Sequence, residues 1–421
     1  MSVKIASSGK DPVYSKDFLL ILCFYIFAIL AEQMEANVYP VFLRSSGYSV
    51  SQTGVFSSVL NLTGCLCPLL FGGFLINRLR RSWAVLLGVL GEFLGAAGFL
   101  LLSLFSWEPT KLFFAVFLML RLVQGVGYSV YFMAAMNLIT EHMTDEQVLR
   151  RTSAYYNGGS VAAATGPALG LGLASAVGFG NTFVVMLVFL SAAAALAAVN
   201  LVRSQKSLSG VSSAVKAESA VEQTPSGAGK KGLPVFEKAA LAPSLFMFYY
   251  EVVMGSVFSF IMLFSGELNL TNSGIFYTPY HICAIAMRSV MTRAIASFGK
   301  QNILMACVGV EGLGLLVAFR AGGMLSIIIT GALLGAADGF CFSIINVAAL
   351  TSVPEARRGA ANATFLTFKG LGLACGSILW GFIGDMIGLR NIYLCASVLM
   401  LFALAGLFLY FKRRKAVKAA G

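Results

Sequence analysis

The residues that could carry chemistry are ionisable side chains placed inside long apolar stretches. Arg121 lies ten residues after Lys111, within the apolar run that extends to Thr140. At ~1.5 Å per residue, this places the guanidinium ~15 Å into a bilayer, near its midplane. A charge at that depth costs at least about 2.5–3.5 kcal/mol on insertion scales. Arg121 therefore predicts a polar partner or a water-filled cavity inside the membrane.

Carboxylates that could serve as partners occur in the first apolar stretch. Glu32, Glu35 and Tyr39 have the spacing i, i+3 and i+7, which places them on one face of a helix. Burial favours a neutral carboxyl group, whereas a nearby guanidinium favours the carboxylate. A group held between these influences can gain or lose a proton near neutral pH. We predict that Glu32, Glu35 and Arg121 couple proton movement to function; a static ion pair that only stabilises packing is the alternative.

The charges predicted near the midplane do not balance. Three are basic: Arg121, Arg288 and Lys369. Six are acidic: Glu32, Glu35, Glu92, Glu251, Glu311 and Asp338. An uncompensated negative charge is costly in a low dielectric. Either some carboxyl groups are protonated or a cation occupies the site, which suits exchange of protons for a cationic or neutral amphiphile. Because Arg288 and Lys369 are basic, an anionic substrate is an alternative.

The composition identifies the class of protein that must position these groups. The chain has 421 residues, of which 58% are hydrophobic and 11% charged, with a mean hydropathy of +0.83. Soluble proteins carry roughly 25% charged residues, so we predict an all-α polytopic membrane protein. Twelve apolar stretches are long enough to span a bilayer. They are residues 18–43, 51–76, 83–106, 112–140, 152–176, 181–202, 239–265, 274–297, 301–320, 322–350, 359–384 and 388–411.

Basic residues predict the orientation. If both termini are cytoplasmic, 23 lysines and arginines lie in cytoplasmic segments and 4 in external ones. This bias follows the positive-inside rule and indicates an inner or plasma membrane location. The net charge of +12 then faces anionic lipid at the cytoplasmic surface, and no nucleic-acid partner is expected. Cys65 and Cys67 lack metal-ligand spacing, and no metal or cofactor is expected.

The spans divide into two groups of six. Residues 204–236 are rich in Ser, Ala, Gly and Lys, which predicts a flexible cytoplasmic linker between a bundle over 1–203 and a bundle with a basic tail over 237–421. An offset of 210 residues aligns several residue pairs between the two groups. They are Gly125 with Gly335, Gly166 with Gly376, Gly178 with Gly388, and Asn181 with Asn391. Two pseudo-repeats are typical of transporters, with the site near the midplane where the halves meet.

Three motifs resemble those of the major facilitator superfamily. In the fourth span, Arg121, Gln124, Gly125 and Gly127 resemble the R-x-x-Q-G-x-G motif of its proton-coupled members. After the second span, residues 73–81 resemble its G-x-L-x-D-R-x-G-R loop.

Within that loop, Asn77 stands where Asp is usual and Arg80 where Gly is usual. In the fifth span, Gly166-Pro167 opens a segment similar to the G-P-x-x-G-G core of its exporters, although Leu171 replaces the last glycine.

The resemblance implies roles for individual residues. It implies the twelve-helix fold, with Arg121 facing the first span and Asp338 joining the proton-coupling residues. The implied substrate-cavity residues are Tyr39, Gln124, Tyr250, Glu251, Arg288 and Lys369. Mutual ion pairing without ligand contact is the alternative for the charged ones. The implied gating residues are Asn77, Arg78, Arg81, Gly166 and Pro167, with a kink expected at the proline.

These observations predict a monomeric secondary transporter that moves a small organic molecule by proton-coupled export. No stretch resembles a nucleotide-binding loop, so ATP is not the expected energy source. A proton-coupled importer is the first alternative, and a transport-inactive sensor or scaffold is an alternative of another class. An enzyme is not expected, because two histidines in unrelated places supply neither a nucleophile–base pair nor metal ligands.

Overall fold

The computed structural model describes residues 15–78, 81–105, 110–140, 145–212, 237–270, 272–354 and 357–420. Over these ranges the backbone forms eleven α-helices and two short 3-10 helices. The α-helices are α1 (Lys16–Ser45), α2 (Val50–Arg78), α3 (Arg81–Ser103), α4 (Lys111–Thr140), α5 (Asp145–Ser212), α6 (Leu241–Glu267), α7 (Tyr277–Phe298), α8 (Lys300–Phe319), α9 (Met324–Leu350), α10 (Arg358–Ile387) and α11 (Leu389–Ala420). The 3-10 helices are η1 (Lys238–Ala240) and η2 (Ser273–Phe276).

Helix α5 contains two predicted spans. Its backbone is helical except at Gly178, where φ is 82° and ψ is 166°. This corner separates residues 145–177 from 179–212, so the described chain contains twelve long helical segments. Each corresponds to one of the twelve predicted stretches, which confirms the all-α fold. By length and apolarity, nine helices of the described ranges qualify as membrane spans.

The break between the ninth and tenth stretches is present as predicted. Helix α8 ends at Phe319 and α9 begins at Met324. The hydroxyl of Ser326 accepts hydrogen bonds from the backbone N–H groups of Gly322 and Gly323, both at 3.3 Å. These bonds hold the start of α9, where backbone donors have no partner within the helix.

Three glycine corners share one backbone geometry. Gly178, Gly299 and Gly388 have φ values of 82°, 78° and 84°, which favour glycine because it has no Cβ. Three residues after each corner, an asparagine amide donates to the carbonyl four residues before it: Asn181 to Val177 at 2.8 Å, Asn302 to Phe298 at 3.0 Å, and Asn391 to Ile387 at 2.6 Å. Gly178 and Gly388 are 210 residues apart, which agrees with the offset found in the sequence, whereas Gly299 shows that the same corner also occurs outside that offset.

Matched glycines also occur where matched helices approach closely. A Cβ at Gly166 would lie 2.8 Å from the Cβ of Gln33, in the contact of α5 with α1. A Cβ at Gly376 would lie 2.9 Å from the Cα of Val252, in the contact of α10 with α6. Both positions require glycine because nothing larger fits between the backbones. Helical angles continue through Pro167, and within α5 they depart only at Gly178.

The predicted linker is only partly within the described ranges. Helix α5 continues to Ser212, beyond the predicted start at residue 204. Residues 213–236 lie outside the described ranges, so the linker and the bundle boundaries stay predictions. At Glu237 the chain resumes against the start of α10: the Glu237 carboxylate lies 2.6 Å from Arg357, and its backbone N–H donates to Thr364 at 2.9 Å.

Among the described residues, contacts between the N-terminal and C-terminal halves extend from one end of the molecule to midspan. We call the end with the start of α1 and the end of α11 the near side, and the opposite end the far side. Helix α2 packs along α10, and α5 packs on α7 and η2. For example, the Thr278 hydroxyl donates to the Ala164 carbonyl at 3.0 Å. At the far side, the Asp385 carboxylate accepts from the N–H groups of Val50 and Ser51, both at 2.9 Å.

Candidate functional site

Helices α1 and α4 bring Arg121 and Glu35 together in the N-terminal half. Nη1 of Arg121 lies 3.7 Å from Oε2 of Glu35. The Gln124 amide donates to the same Glu35 oxygen at 2.7 Å, and its own oxygen accepts from Arg121 at 3.2 Å. Arg121 and Gln124 are three residues apart, so both reach the same side of α4. Gln124 thus bridges the charged pair.

An aromatic shell encloses this triad of Glu35, Gln124 and Arg121. The guanidinium carbon lies 5.6 Å from the ring centre of Tyr39 and 5.4 Å from that of Phe56, within cation–π range. Tyr39 stacks on Phe99 with ring centres 4.0 Å apart. The guanidinium is only 2% exposed. The predicted cavity residues Tyr39 and Gln124 are likewise fully buried, so neither is open to solvent in this conformation.

Two further carboxyl groups are buried near the triad. Glu32 accepts a hydrogen bond from Gln33 at 2.7 Å. Glu92 of α3 lies beside Tyr131, within electrostatic reach of Glu35. Glu92 was counted among the midplane charges but was not predicted as a site residue; its only signal was its position near the midplane of the third span. One oxygen of Glu35 and one of Glu92 have no hydrogen-bond partner.

The C-terminal half brings its four predicted charges together as two pairs. Nζ of Lys369 lies 2.9 Å from Oε1 of Glu251, and Nη2 of Arg288 lies 3.5 Å from Oδ2 of Asp338. These side chains come from four helices, α10, α6, α7 and α9. All four side chains therefore form ion pairs in this conformation, and their part in ligand contact stays a prediction. Each base is nevertheless the more exposed partner, with Arg288 at 42% against 15% for Asp338, and Lys369 at 32% against 2% for Glu251.

Tyr250 lies deeper than these pairs. It is fully buried beside Glu311 of α8, and its hydroxyl has no hydrogen-bond partner. Glu311 is also buried, and neither of its carboxyl oxygens has a partner. Tyr250 is therefore buried, unlike Arg288 and Lys369, whose side chains are partly exposed.

The predicted gating residues fall into two groups. The backbones of Asn77 and Arg78 end α2 and Arg81 begins α3, but the side chains of Asn77 and Arg78 lie outside the described residues. Gly166 lies in the α1–α5 contact, and the Pro167 carbonyl packs against Gly274 of η2. Both therefore lie at helix contacts, and their part in gating stays a prediction.

Sequence reasoning missed Asp385. Its carboxylate caps the first turn of α2, where helix dipoles favour negative charge. An available signal was its place in the last turn of α10, where an acidic side chain opposes the dipole of its own helix. Such a residue needs a partner from elsewhere in the molecule.

The fold and the site can be compared with known proteins. A crystal structure of the nucleoside transporter NupG has a TM-score of 0.68 and 13% identity, covering 93% of this chain and 99% of that one. A POT family transporter in complex with a thioalcohol conjugated peptide has a TM-score of 0.67 and 12% identity, covering 94% and 96%. These likenesses show the fold.

Sequence comparison shows the family. An MFS-type transporter of Pseudomonas aeruginosa is 29% identical over 151 residues, 36% of this chain, and the chain spans 38% of that protein's length. The model of the Major Facilitator Superfamily matches residues 21–310 and 280–420, nearly the whole chain. The protein is therefore a multi-pass integral membrane protein of a transporter family and not an enzyme. This chain belongs to the Major Facilitator Superfamily.

Proposed function

We propose that this protein is a proton-coupled secondary transporter that exports a small organic molecule by alternating access. The observation that supports it most is the buried triad of Glu35, Gln124 and Arg121 between α1 and α4. A carboxyl group with one oxygen bound to a cation and an amide, and the other unpartnered, has a place for a proton. Static packing alone would be served at lower cost by apolar side chains.

Proton binding at Glu35 would change the contact between α1 and α4. Neutralising the carboxylate removes its attraction for Arg121 and leaves the hydrogen bond from Gln124. Because both side chains are buried from water, a proton reaches Glu35 only when the helices around the triad separate. Proton exchange is therefore tied to a change of conformation, as coupled transport requires.

The far-side contacts support alternating access. Asp385 with Val50 joins the opposite halves at the far side, and Thr278 with Ala164 joins them nearer the middle of the fifth span. With both termini cytoplasmic, as the basic residues predict, this conformation is closed to the outside. The opposite conformation requires these contacts to break while the halves rock about the midplane.

The direction of transport follows from sequence rather than geometry. The segment beginning at Gly166-Pro167 is similar to the exporter motif, and we propose export on that basis. Exchange of a proton for the exported molecule would then proceed through Glu35, with Asp338 as a second carboxyl group that can carry a proton.

Proton movement in sealed vesicles tests this function. Vesicles that contain the protein and a pH-sensitive dye are given a pH gradient and then a panel of small organic anions, cations and neutral compounds. We expect at least one compound to release protons down the gradient in the wild type and not in Glu35→Gln. Asp17→Asn is the matched control, because Asp17 lies at the exposed start of α1 and pairs with the exposed Arg203.

Two outcomes would contradict the proposal. Proton movement together with the compound, in the same direction, would show an importer. Compound-driven proton release that persists in Glu35→Gln would remove the triad from the coupling mechanism.

A further inference from the structure

We propose that Arg288 and Lys369 form a recognition site for an anionic group of the transported molecule, such as a carboxylate, sulfonate or phosphate. This rests on the proposed function, since it names the substrate class of the same transporter. The site comprises Arg288 and Lys369 as the exposed bases, with Asp338 and Glu251 behind them as their buried partners.

The convergence of four helices places this cluster inside the C-terminal half. Arg288 comes from α7, Asp338 from α9, Glu251 from α6 and Lys369 from α10. Arg288 and Lys369 are also within electrostatic reach of each other. Both are eleven residues from the start of their helix, or ~16 Å along the axis, close to the bilayer midplane. Exposed charge at that depth faces water rather than lipid, because hydrocarbon makes it costly.

The exposed face of the cluster is basic. Each carboxylate is turned inward and each base outward, so an approaching molecule meets the bases first. Arg288 donates from Nη2 to Asp338, and its guanidinium has further N–H groups that can donate to two oxygens of a second anionic group. Lys369 has three donors and bonds Glu251 with one. The buried carboxylates hold the bases in position for a ligand.

The surroundings of the cluster agree with an organic anion. Lys369 lies 5.9 Å from the ring centre of Phe342, which supplies an apolar surface for the rest of the molecule. The other titratable groups within electrostatic reach of the cluster are buried or partly buried: Tyr250, Tyr280, His281, Cys307, Glu311 and Cys341. These add no exposed negative charge.

The N-terminal half offers no comparable place for a cation. Among its described midspan residues, Glu32, Glu35 and Glu92 are buried, and Glu35 already contacts Arg121. A cationic substrate needs an exposed carboxylate, and the most exposed candidate at this depth is Asp338 at 15%. The balance of exposed charge therefore favours an anionic substrate.

An anionic substrate has a consequence for energetics. Export of an anion in exchange for an entering proton moves net positive charge inward. An inside-negative membrane potential then drives transport.

Reporter cysteines test the electrostatics of the site without a known substrate. The eight native cysteines of the full-length protein are first replaced. Ile285→Cys then places a thiol one helical turn from Arg288, and Leu366→Cys places one a helical turn from Lys369. Each variant is treated in native membranes with the anionic sulfonatoethyl or the cationic trimethylammonioethyl methanethiosulfonate. Rates are divided by the rates of the same reagents with free β-mercaptoethanol.

We expect the anionic reagent to react about tenfold faster than the cationic one at both reporters. The preference should disappear when the base and its partner are removed together, as Arg288→Gln with Asp338→Asn, or as Lys369→Gln with Glu251→Gln. The paired substitutions leave no buried charge without a partner, so they preserve the fold better than single ones. Asp338→Asn alone should strengthen the preference.

A lipid-facing control identifies the outcomes that overturn the site. Leu94 of α3 is exposed on the outside of the bundle, and Leu94→Cys should react with neither reagent. If Ile285→Cys and Leu366→Cys are equally inert, the bases face lipid and the proposal is wrong. A faster cationic reagent, or equal rates, would also overturn it.

The reporter assay and the proton-release assay have separate readouts, so the failure of one proposal can be told from the failure of the other. Anion preference at the reporters without compound-driven proton release would support the anion site and reject proton coupling. Compound-driven proton release without anion preference would support proton coupling and reject the anion site.

Discussion

Asp385 and Val50 join the two halves of the molecule through a hydrogen bond of 2.9 Å between a carboxylate oxygen and the first backbone N–H of α2. The second oxygen of Asp385 accepts from Ser51 at the same distance. A negative charge at a helix N-terminus is stabilised by unpaired N–H groups and by the helix dipole. The bond forms only when α2 and α10 meet at the far side, so it stabilises the far-side-closed conformation specifically.

Asp385→Asn should shift the protein towards the far-side-open conformation. Loss of a charged cap costs about 1 kcal/mol, which changes the ratio of the two conformations about fivefold. Cys65 of α2 is buried against Gly370 of α10 across the same seam and becomes accessible when it opens. In a variant that keeps only Cys65, we expect Asp385→Asn to increase its rate of reaction with a maleimide about fivefold.

Glu267→Gln is the control for this prediction, because Glu267 ends α6 at the far side and is exposed. An unchanged Cys65 rate in Asp385→Asn, or an equal increase in Glu267→Gln, would show that the cap does not control the seam.

Arg121→Gln should destabilise the protein, and Glu35→Gln in the same chain should restore much of the loss. Removal of one partner from a buried pair typically costs about 3–5 kcal/mol, since the remaining charge has no compensation. Thermal unfolding of the purified protein measures both variants. The defect of Arg121→Gln should become smaller as pH falls, because Glu35 then takes up a proton and its charge disappears.

Arg81→Gln serves as a comparison, since Arg81 begins α3 at the near side rather than at midspan. A double variant as unstable as Arg121→Gln alone would argue against a charged Glu35 as the partner of Arg121.

Gly166→Ala should impair both folding and transport. A Cβ there would lie 2.8 Å from the Cβ of Gln33 and 3.1 Å from the Leu30 carbonyl, so α1 and α5 must separate. We expect a cost of about 1–3 kcal/mol, as for other overpacked sites, read as a lower unfolding temperature.

Gly406→Ala in α11 is the matched control, because nothing lies within 4 Å of its added Cβ. It should be neutral or slightly stabilising. Equal effects of the two substitutions would mean that general helix propensity, rather than close packing at Gly166, decides the outcome.

Gly178→Ala should lower the unfolding temperature although no atom lies within 4 Å of the added Cβ. Its backbone angles, φ of 82° and ψ of 166°, lie in a region that residues other than glycine rarely adopt, at a cost of about 1–3 kcal/mol. Gly180→Ala, two residues later and within ordinary helical backbone, should be tolerated. A Gly178→Ala protein as stable as the wild type would show that the corner relaxes freely.

Hydropathy predicted the spans well because a bilayer requires an apolar stretch of nearly fixed length. The contact of Arg121 with Glu35 was also expected, since a buried charge requires a partner and the family resemblance implied that Arg121 faces the first span. The rotation of each helix was not predictable: α1 is apolar on most sides, so nothing in its pattern distinguished a buried Tyr39 from one facing a cavity. Asp385 was missed because its partners are backbone N–H groups, which every helix N-terminus has.

The corners at Gly178 and Gly388 join consecutive spans with no intervening loop residues. Because no loop residues separate the two antiparallel helices, neither can slide along the other without unwinding. Segments 145–177 and 179–212 consequently travel as one hairpin, as do α10 and α11. One hairpin presents Gly166 to α1 and the other presents Asp385 to α2. Each pair of helices therefore moves as a unit when its half of the molecule moves, and a label on the outer member of each pair reports the displacement of the inner one.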